Sequence, residues 1–298
     1  MHTKRACYQG CDDNGIIVRR RIQFNELGGV CIPFNSQLET VAMHWRLSEA
    51  AAQGFAGASQ IEVHPSSPAQ AASWKISPSS VSPWEFASVT AHPTHASLPE
   101  EVYSRQGDLI VRYRQSSTDT FAYQLDWQLL PAAEPFVAAV ELWLSVQTDL
   151  LDTEPELEIA CRARDGQGWR VFEHQQLDDS EVTSKNDPTL VRGPAALLCG
   201  HTAGETQVSR IEKSRIEKSN AELLCGLWLI EPSDQCNTRR CTQDDQATQR
   251  LRLFGHFMEK GVIRRARMRF LLAPGAIADE HVRQAYRALA DSPLPLTA

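Results

Sequence analysis

No stretch of this 298-residue sequence approaches the roughly 18 consecutive apolar residues that a membrane-crossing helix needs. The basic N-terminal residues are not followed by the apolar segment of a secretory leader, which predicts a cytoplasmic protein. Positive charge is also short: 30 Lys and Arg stand against 37 Asp and Glu, a net charge of −7. Such a molecule repels a polyanion, so no nucleic acid is expected as a partner. Several signatures are missing altogether. There is no GxSxG nucleophile elbow, no GxGxxG or GxxxxGK[ST] phosphate loop and no HExxH zinc helix. The commonest enzyme classes thereby lose support, and whether any reaction is catalysed stays open.

None of the eight cysteines forms a CxxC pair. Cys161, Cys199 and Cys225 lie in apolar stretches and are expected as small buried hydrophobes. Cys7/Cys11 and Cys236/Cys241 lie in polar segments and are expected as free thiols, with a joint zinc site as the alternative. His92 and His95 form an HxxH pair without an evident third ligand. No metal and no cofactor is expected.

What the sequence does have is period-two alternation. In Gly261–Leu272, Val262, Ala266, Met268, Phe270 and Leu272 fall on one side, and Ile263, Arg265, Arg267 and Arg269 on the other. A half-buried strand alternates in this way. The pattern recurs in Gly15–Phe24 and Val41–Leu47, and most clearly in Asp108–Arg114, Phe121–Leu129, Val137–Gln147 and Glu156–Cys161. Short turns join these central segments, so the default is an antiparallel meander. Ala195–Cys199 and Glu222–Ile230 are continuous apolar runs and predict interior strands. Residues 64–99, rich in Ser, Pro and Ala, predict a loop with one or two short strands, pinned by Trp74, Trp84 and Phe86. Asp234–Gln246 is polar and predicts an exposed loop.

One helix is expected, over Ile277–Ala290. Val282, Ala285, Tyr286 and Leu289 recur at helical spacing, Asp279 and Glu280 suit its first turn, and Pro293 stops it. A five-residue unit written twice, within 209–220, predicts a charged surface insertion. Twelve or more strands against one helix give an all-β chain: a large antiparallel two-sheet sandwich in one domain over 1–298, with a C-terminal helix.

Asp108–Val111 with Tyr113, Pro232–Asp234, Met258–Arg267 and Ser292–Thr297 resemble an uncharacterised family of bacterial proteins, mostly from planctomycetes. That resemblance implies a fold similar to the galactose-mutarotase-like supersandwich, which often handles sugars. The His and Glu motifs of the mutarotases have no counterpart here, so no catalytic role is carried over.

The candidate site is the polar side of the sheet. Gln124, Asp126 and Gln128 on one strand, and Glu141, Trp143, Ser145 and Gln147 on the next, point away from the core. An indole lies well under a pyranose while amides and carboxylates bond its hydroxyls. Arg265, Arg267 and Arg269 on the same surface would suit a sugar carrying a carboxylate or phosphate. His256 is the candidate for proton transfer by residue type. Two readings follow: a carbohydrate-binding or carbohydrate-processing sandwich, and a non-catalytic structural or interaction module in which the arginines pair with cross-strand carboxylates. The ligand and the oligomeric state are open.

Overall fold

A computed structural model describes residues 5–11, 17–23, 39–41, 43–48, 51–56, 59–76, 84–93, 98–105, 107–163, 168–177, 194–199, 224–241 and 248–293. It contains twenty strands. They are β1 (Arg5–Cys11), β2 (Ile17–Gln23), β3 (Glu39–Val41), β4 (His44–Leu47), β5 (Ala52–Ala56), β6 (Ser59–Val63), β7 (Ala72–Ile76), β8 (Trp84–Phe86), β9 (Ser88–His92) and β10 (Pro99–Arg105). There follow β11 (Asp108–Tyr113), β12 (Ala122–Leu130), β13 (Ala138–Gln147), β14 (Glu156–Arg162), β15 (Trp169–Phe172), β16 (Ala196–Cys199), β17 (Leu224–Ile230), β18 (Thr238–Cys241), β19 (Thr248–Phe254) and β20 (Ile263–Pro274). One helical turn, α1 (His174–Leu177), follows β15, a 3-10 turn spans Pro232–Asn237, and the helix α2 (Asp279–Ala290) comes last.

All pairings between these strands are antiparallel, as the short connections require. The largest sheet has the order β10-β11-β12-β13-β20-β17-β16-β15. A four-stranded sheet β18-β19-β14-β9 and a five-stranded sheet β4-β5-β6-β7-β8 share one apolar cluster with it. The result is a β sandwich with its core between layers. Leu109, Val111, Leu125, Trp127, Leu142, Leu144, Met268 and Leu272 enter from the large sheet, and Ile61, Trp74, Phe86, Leu157, Ile159 and Leu251 from the others. β1, β2 and β3 form a separate three-stranded sheet.

The layers approach closely at one point. A Cβ on Gly226 would fall 2.1 Å from the Trp84 ring, so β17 carries no side chain where the indole crosses it. Ring packing continues from Trp74 through Phe86 to Phe270 and Trp228. The aromatics of the Ser/Pro/Ala-rich region are therefore core, and that region forms β7, β8 and β9 rather than one or two strands. Small Ala and Ser residues hid the alternation, because only the aromatic positions carry a strong apolar signal.

β16 and β17 are buried on both faces because a second apolar cluster lies behind them. It joins Leu198, Leu227, Leu229 and Leu271 to Val282, Ala285, Tyr286 and Leu289 of α2. The helix docks as its periodicity predicts. Tyr286 also meets His174 of α1, oxygen to Nδ1 at 3.0 Å.

The end of α2 is tied down by Arg267. β17 runs out at Ile230, but Glu231 continues its register by one rung: its N–H donates to the Arg267 carbonyl at 3.1 Å. The Arg267 N–H donates to Asp234 Oδ2 at 2.8 Å, so a side chain takes the place of the missing strand. The guanidinium is 2% exposed. It donates through Nε and NH2 to Glu231, through NH2 to the Leu289 carbonyl, and through NH1 to Ser292 Oγ. Its carbon lies 5.2 Å from the centre of the Trp143 ring. Asp234–Gln246 is accordingly not all exposed loop. It starts in the 3-10 turn, where Asp234 is half-buried, and Thr238–Cys241 pairs with β19. Residues 209–220, Cys7, Cys11 and His95 fall outside the described residues or have no described side chain, and the same holds for Cys236 and Cys241.

Tyr286→Ala is expected to destabilise the protein by about 3–5 kcal/mol, the range for deleting a buried aromatic. Arg267→Ala should cost a similar amount, about 3–5 kcal/mol, because it strands Glu231 without its cation. Denaturant titration of each variant checks both values.

A pH effect is also expected. Burial pushes the Asp234 carboxyl up from 3.8 to about 6; Glu231 adds to the rise, while the Arg267 N–H and guanidinium oppose it. Between these values the folded chain holds a proton that the unfolded chain has released. This contribution to stability is complete below about pH 4 and is lost as pH rises through 6. Asp234→Asn keeps an acceptor for the Arg267 N–H and removes the titration. Its melting point should exceed that of the wild type by about 3–6 °C at pH 7.5 and match it near pH 4, read by calorimetry at both pH values.

Candidate functional site

The outer face of the large sheet is set by strand register. One row runs Glu101–Arg112–Gln124–Ser145–Arg265 across β10, β11, β12, β13 and β20. The next runs Tyr103–Ile110–Asp126–Trp143–Arg267, and the third Arg105–Asp108–Gln128–Glu141–Arg269. Side chains two apart share a face, so β12, β13 and β20 do bring Asp126, Glu141, Trp143 and the three arginines onto one surface.

The rows differ in what surrounds them. In the third row Glu141 accepts from Arg269 NH2 at 2.6 Å and Nε at 3.0 Å. Its other oxygen accepts from Trp143 Nε1 at 2.9 Å. Glu141 is buried and fully engaged. In the second row Arg267 is taken up by Glu231 and the end of α2. Trp143 therefore has one ring face toward a guanidinium and its N–H on a carboxylate. These four residues form a closed polar network, and a ligand would have to displace α2 to reach Arg267.

The first row is open. A groove of about 450 Å³ lies over it, bordered by Arg112, Arg114, Gln124, Ser145, Arg265 and Ile263. Arg265 is exposed and has no ion pair among the described residues. Arg112 pairs with Glu101 at 3.2 Å, with both side chains half exposed, so the contact is weak and easily exchanged. Three strand intervals separate Arg112 from Arg265, about 14 Å at the usual spacing. Gln124 and Ser145 lie between them and supply an amide and a hydroxyl.

Beside the groove, Asp126 accepts from Gln124 Nε2 at 2.8 Å. Burial raises its pKa; Gln124 and Arg265 pull it down, and Asp108 pushes it up. Burial likewise raises Asp108, against Arg105 and Gln128. Asp126 thus holds the floor amide in place and lies within the field of Arg265. His256 is elsewhere. It follows the left-handed pair Phe254 (φ 69°) and Gly255 (φ 61°), its Nδ1 is 3.0 Å from the Phe254 carbonyl, and it does not border the groove.

Arg112 and Arg114 were not among the residues singled out from sequence. The signal was present: both have the opposite parity to Val111 and Tyr113. Only the register shows that Arg112 shares a row with Arg265. Among the described residues, no group of three His, Cys, Asp or Glu side chains is placed to hold a metal. His92 Nε2 lies 3.9 Å from Glu158, which Arg250 and Arg252 already hold. No helix of the described residues is long and apolar enough to cross a membrane.

No protein-family model matches the sequence, and comparison with curated proteins finds no match. Solved structures of similar shape do exist. An aldose 1-epimerase-like structure from Klebsiella pneumoniae has a TM-score of 0.42 at 8% identity, covering 98% of this chain and 95% of that one. Another, from Escherichia coli K12, has a TM-score of 0.32 at 9% identity, covering 90% and 99%. A heparan sulfate lyase mutant from Pedobacter heparinus has 0.39 at 8% identity, covering 84% of this chain. The chain spans 38% of the length of that lyase, and 37% of the length of a heparinase III structure.

Proposed function

We propose that this protein binds a carbohydrate carrying a carboxylate, sulfate or phosphate in the groove over the first row. The observation that carries the reading is Arg265: an exposed guanidinium without an ion pair among the described residues, at the border of a groove of about 450 Å³ whose floor carries an amide and a hydroxyl. That volume lies within the range of small-molecule sites. A guanidinium fork matches a planar or tetrahedral anion in two bonds. Gln124 and Ser145 offer donors and acceptors at the spacing of adjacent strands, which suits a polyhydroxylated ring. Arg112 can trade its exposed Glu101 for a ligand anion at small cost.

The second reading, a non-catalytic structural or interaction module, is favoured by the two closed rows. Arg267–Glu231 and Arg269–Glu141 are cross-strand pairs that stabilise the fold without a ligand. The two readings divide the face between them and meet at Asp126.

Arg265→Ala should lower affinity for sugar acids at least about tenfold, as loss of a charge-assisted contact does. Its melting point should match the wild type within about a degree, because the side chain is exposed. Titration calorimetry against glucuronate, galacturonate, glucose 6-phosphate and N-acetylglucosamine 6-sulfate checks this. No heat from any of them with the wild type would leave the structural module as the reading.

A further inference from the structure

Four of the eight exposed large hydrophobics among the described residues lie on one flap beside the groove: Leu150, Leu151, Phe257 and Ile263. They are 43%, 79%, 51% and 53% exposed. The flap continues the β13–β20 pairing beyond Gln147 and Ile263. Gly261 N–H donates to the Thr148 carbonyl at 2.9 Å, and Met258 bridges Thr153. Thr148 is buried, bonds the Thr120 carbonyl through its hydroxyl, and accepts the Leu150 N–H at 3.0 Å. Gln115 Oε1 accepts the Asp149 N–H at 2.9 Å. This backbone is held in place, so the leucines are presented to solvent by a built element. A cluster of this kind on a folded chain marks a contact surface.

What covers it is indicated by its position. Ile263 belongs both to the flap and to the groove border, and Asp149, next to Leu150, borders the groove as well. The apolar surface therefore begins where the groove ends. Asp149, Asp152, Glu154 and Glu259 are exposed along the same flap and outnumber its exposed cations, Lys260 and Arg264. They disfavour an anionic bilayer, which would need a basic surround. They do not oppose a single apolar chain attached to a group already in the groove.

We infer that the ligand of this protein is an amphiphile: an anionic sugar head in the groove, joined to an alkyl or acyl chain that lies on Leu150, Leu151, Phe257 and Ile263. This rests on the groove being the sugar site. The head gives charge selectivity through Arg265, and the chain adds affinity in proportion to the apolar area it covers.

Titration of the full chain with methyl β-glucuronide, octyl β-glucuronide and neutral octyl β-glucoside, each below its micelle concentration, tests it. Octyl glucuronide is expected to bind at least about tenfold more tightly than methyl glucuronide, the effect of burying two or more methylenes. The double variant Leu151→Ser/Phe257→Ser, both positions exposed, should erase that gain and leave methyl glucuronide binding unchanged. Equal affinity for the two glucuronides, or a gain that persists in the double variant, overturns the flap and leaves the sugar site standing. Octyl glucoside binding as tightly as octyl glucuronide supports the flap and removes the charge requirement. Absence of binding by all three overturns both. Sedimentation velocity supplies a second readout: a wild-type dimer that the double variant dissolves would assign the flap to a second copy of the chain and overturn the inference.

Discussion

The guanidinium of Arg267 is the point on which the polar side of the sheet depends. It lies in the middle of the sheet, on the strand that joins β13 to β17, with almost no exposure. An arginine in that position survives only because every N–H has an acceptor and its charge has a partner. Glu231 supplies the charge, and Leu289 and Ser292 supply oxygens from the end of α2. The ion pair is thus also the joint between sheet and helix. Without Glu231 the cation would be expelled; without the cation, the end of α2 would lose its polar anchor.

That joint divides the outer face. On one side of it, Glu141, Trp143 and Arg269 satisfy one another and leave no capacity for a ligand. On the other, Arg265 has turned toward solvent, where β20 passes the end of its β17 partner. The same strand supplies a structural arginine and, two residues away on the same face, an exposed one. The difference is not in the residues but in what covers them. α2 closes over the position of Arg267 and does not extend to Arg265.

The alternation of β11, β12, β13 and β20 was legible because these strands have core on one side only. The helix was legible for the same reason at its own period. β7, β8 and β9 were hidden by Ala and Ser, which fit a strand without announcing it. Parity placed Asp126, Glu141, Trp143 and the arginines on one face, yet parity says nothing about cover. The burial of Arg267 follows from Glu231, a residue one step beyond an apolar run, and from a helix end encoded twenty residues later. Arg112 lies in a strand whose alternation is dominated by its apolar positions, and its place in the row of Arg265, three strands away, depends on a register that the pattern of one strand does not fix.

The position of β20 in the eight-stranded sheet has a consequence for biogenesis. Among the described strands it is the last in sequence and a central one in space. Until it emerges from the ribosome, β13 and β17 each present a long, apolar, unpaired edge, and the two halves of the sheet have no hydrogen bonds between them. A nascent or truncated chain therefore holds two adhesive borders at once, the condition that chaperones shield and that leads to aggregation when they do not. Insertion of one late strand closes both borders together, so assembly of the sheet is a single terminal event rather than a gradual accretion.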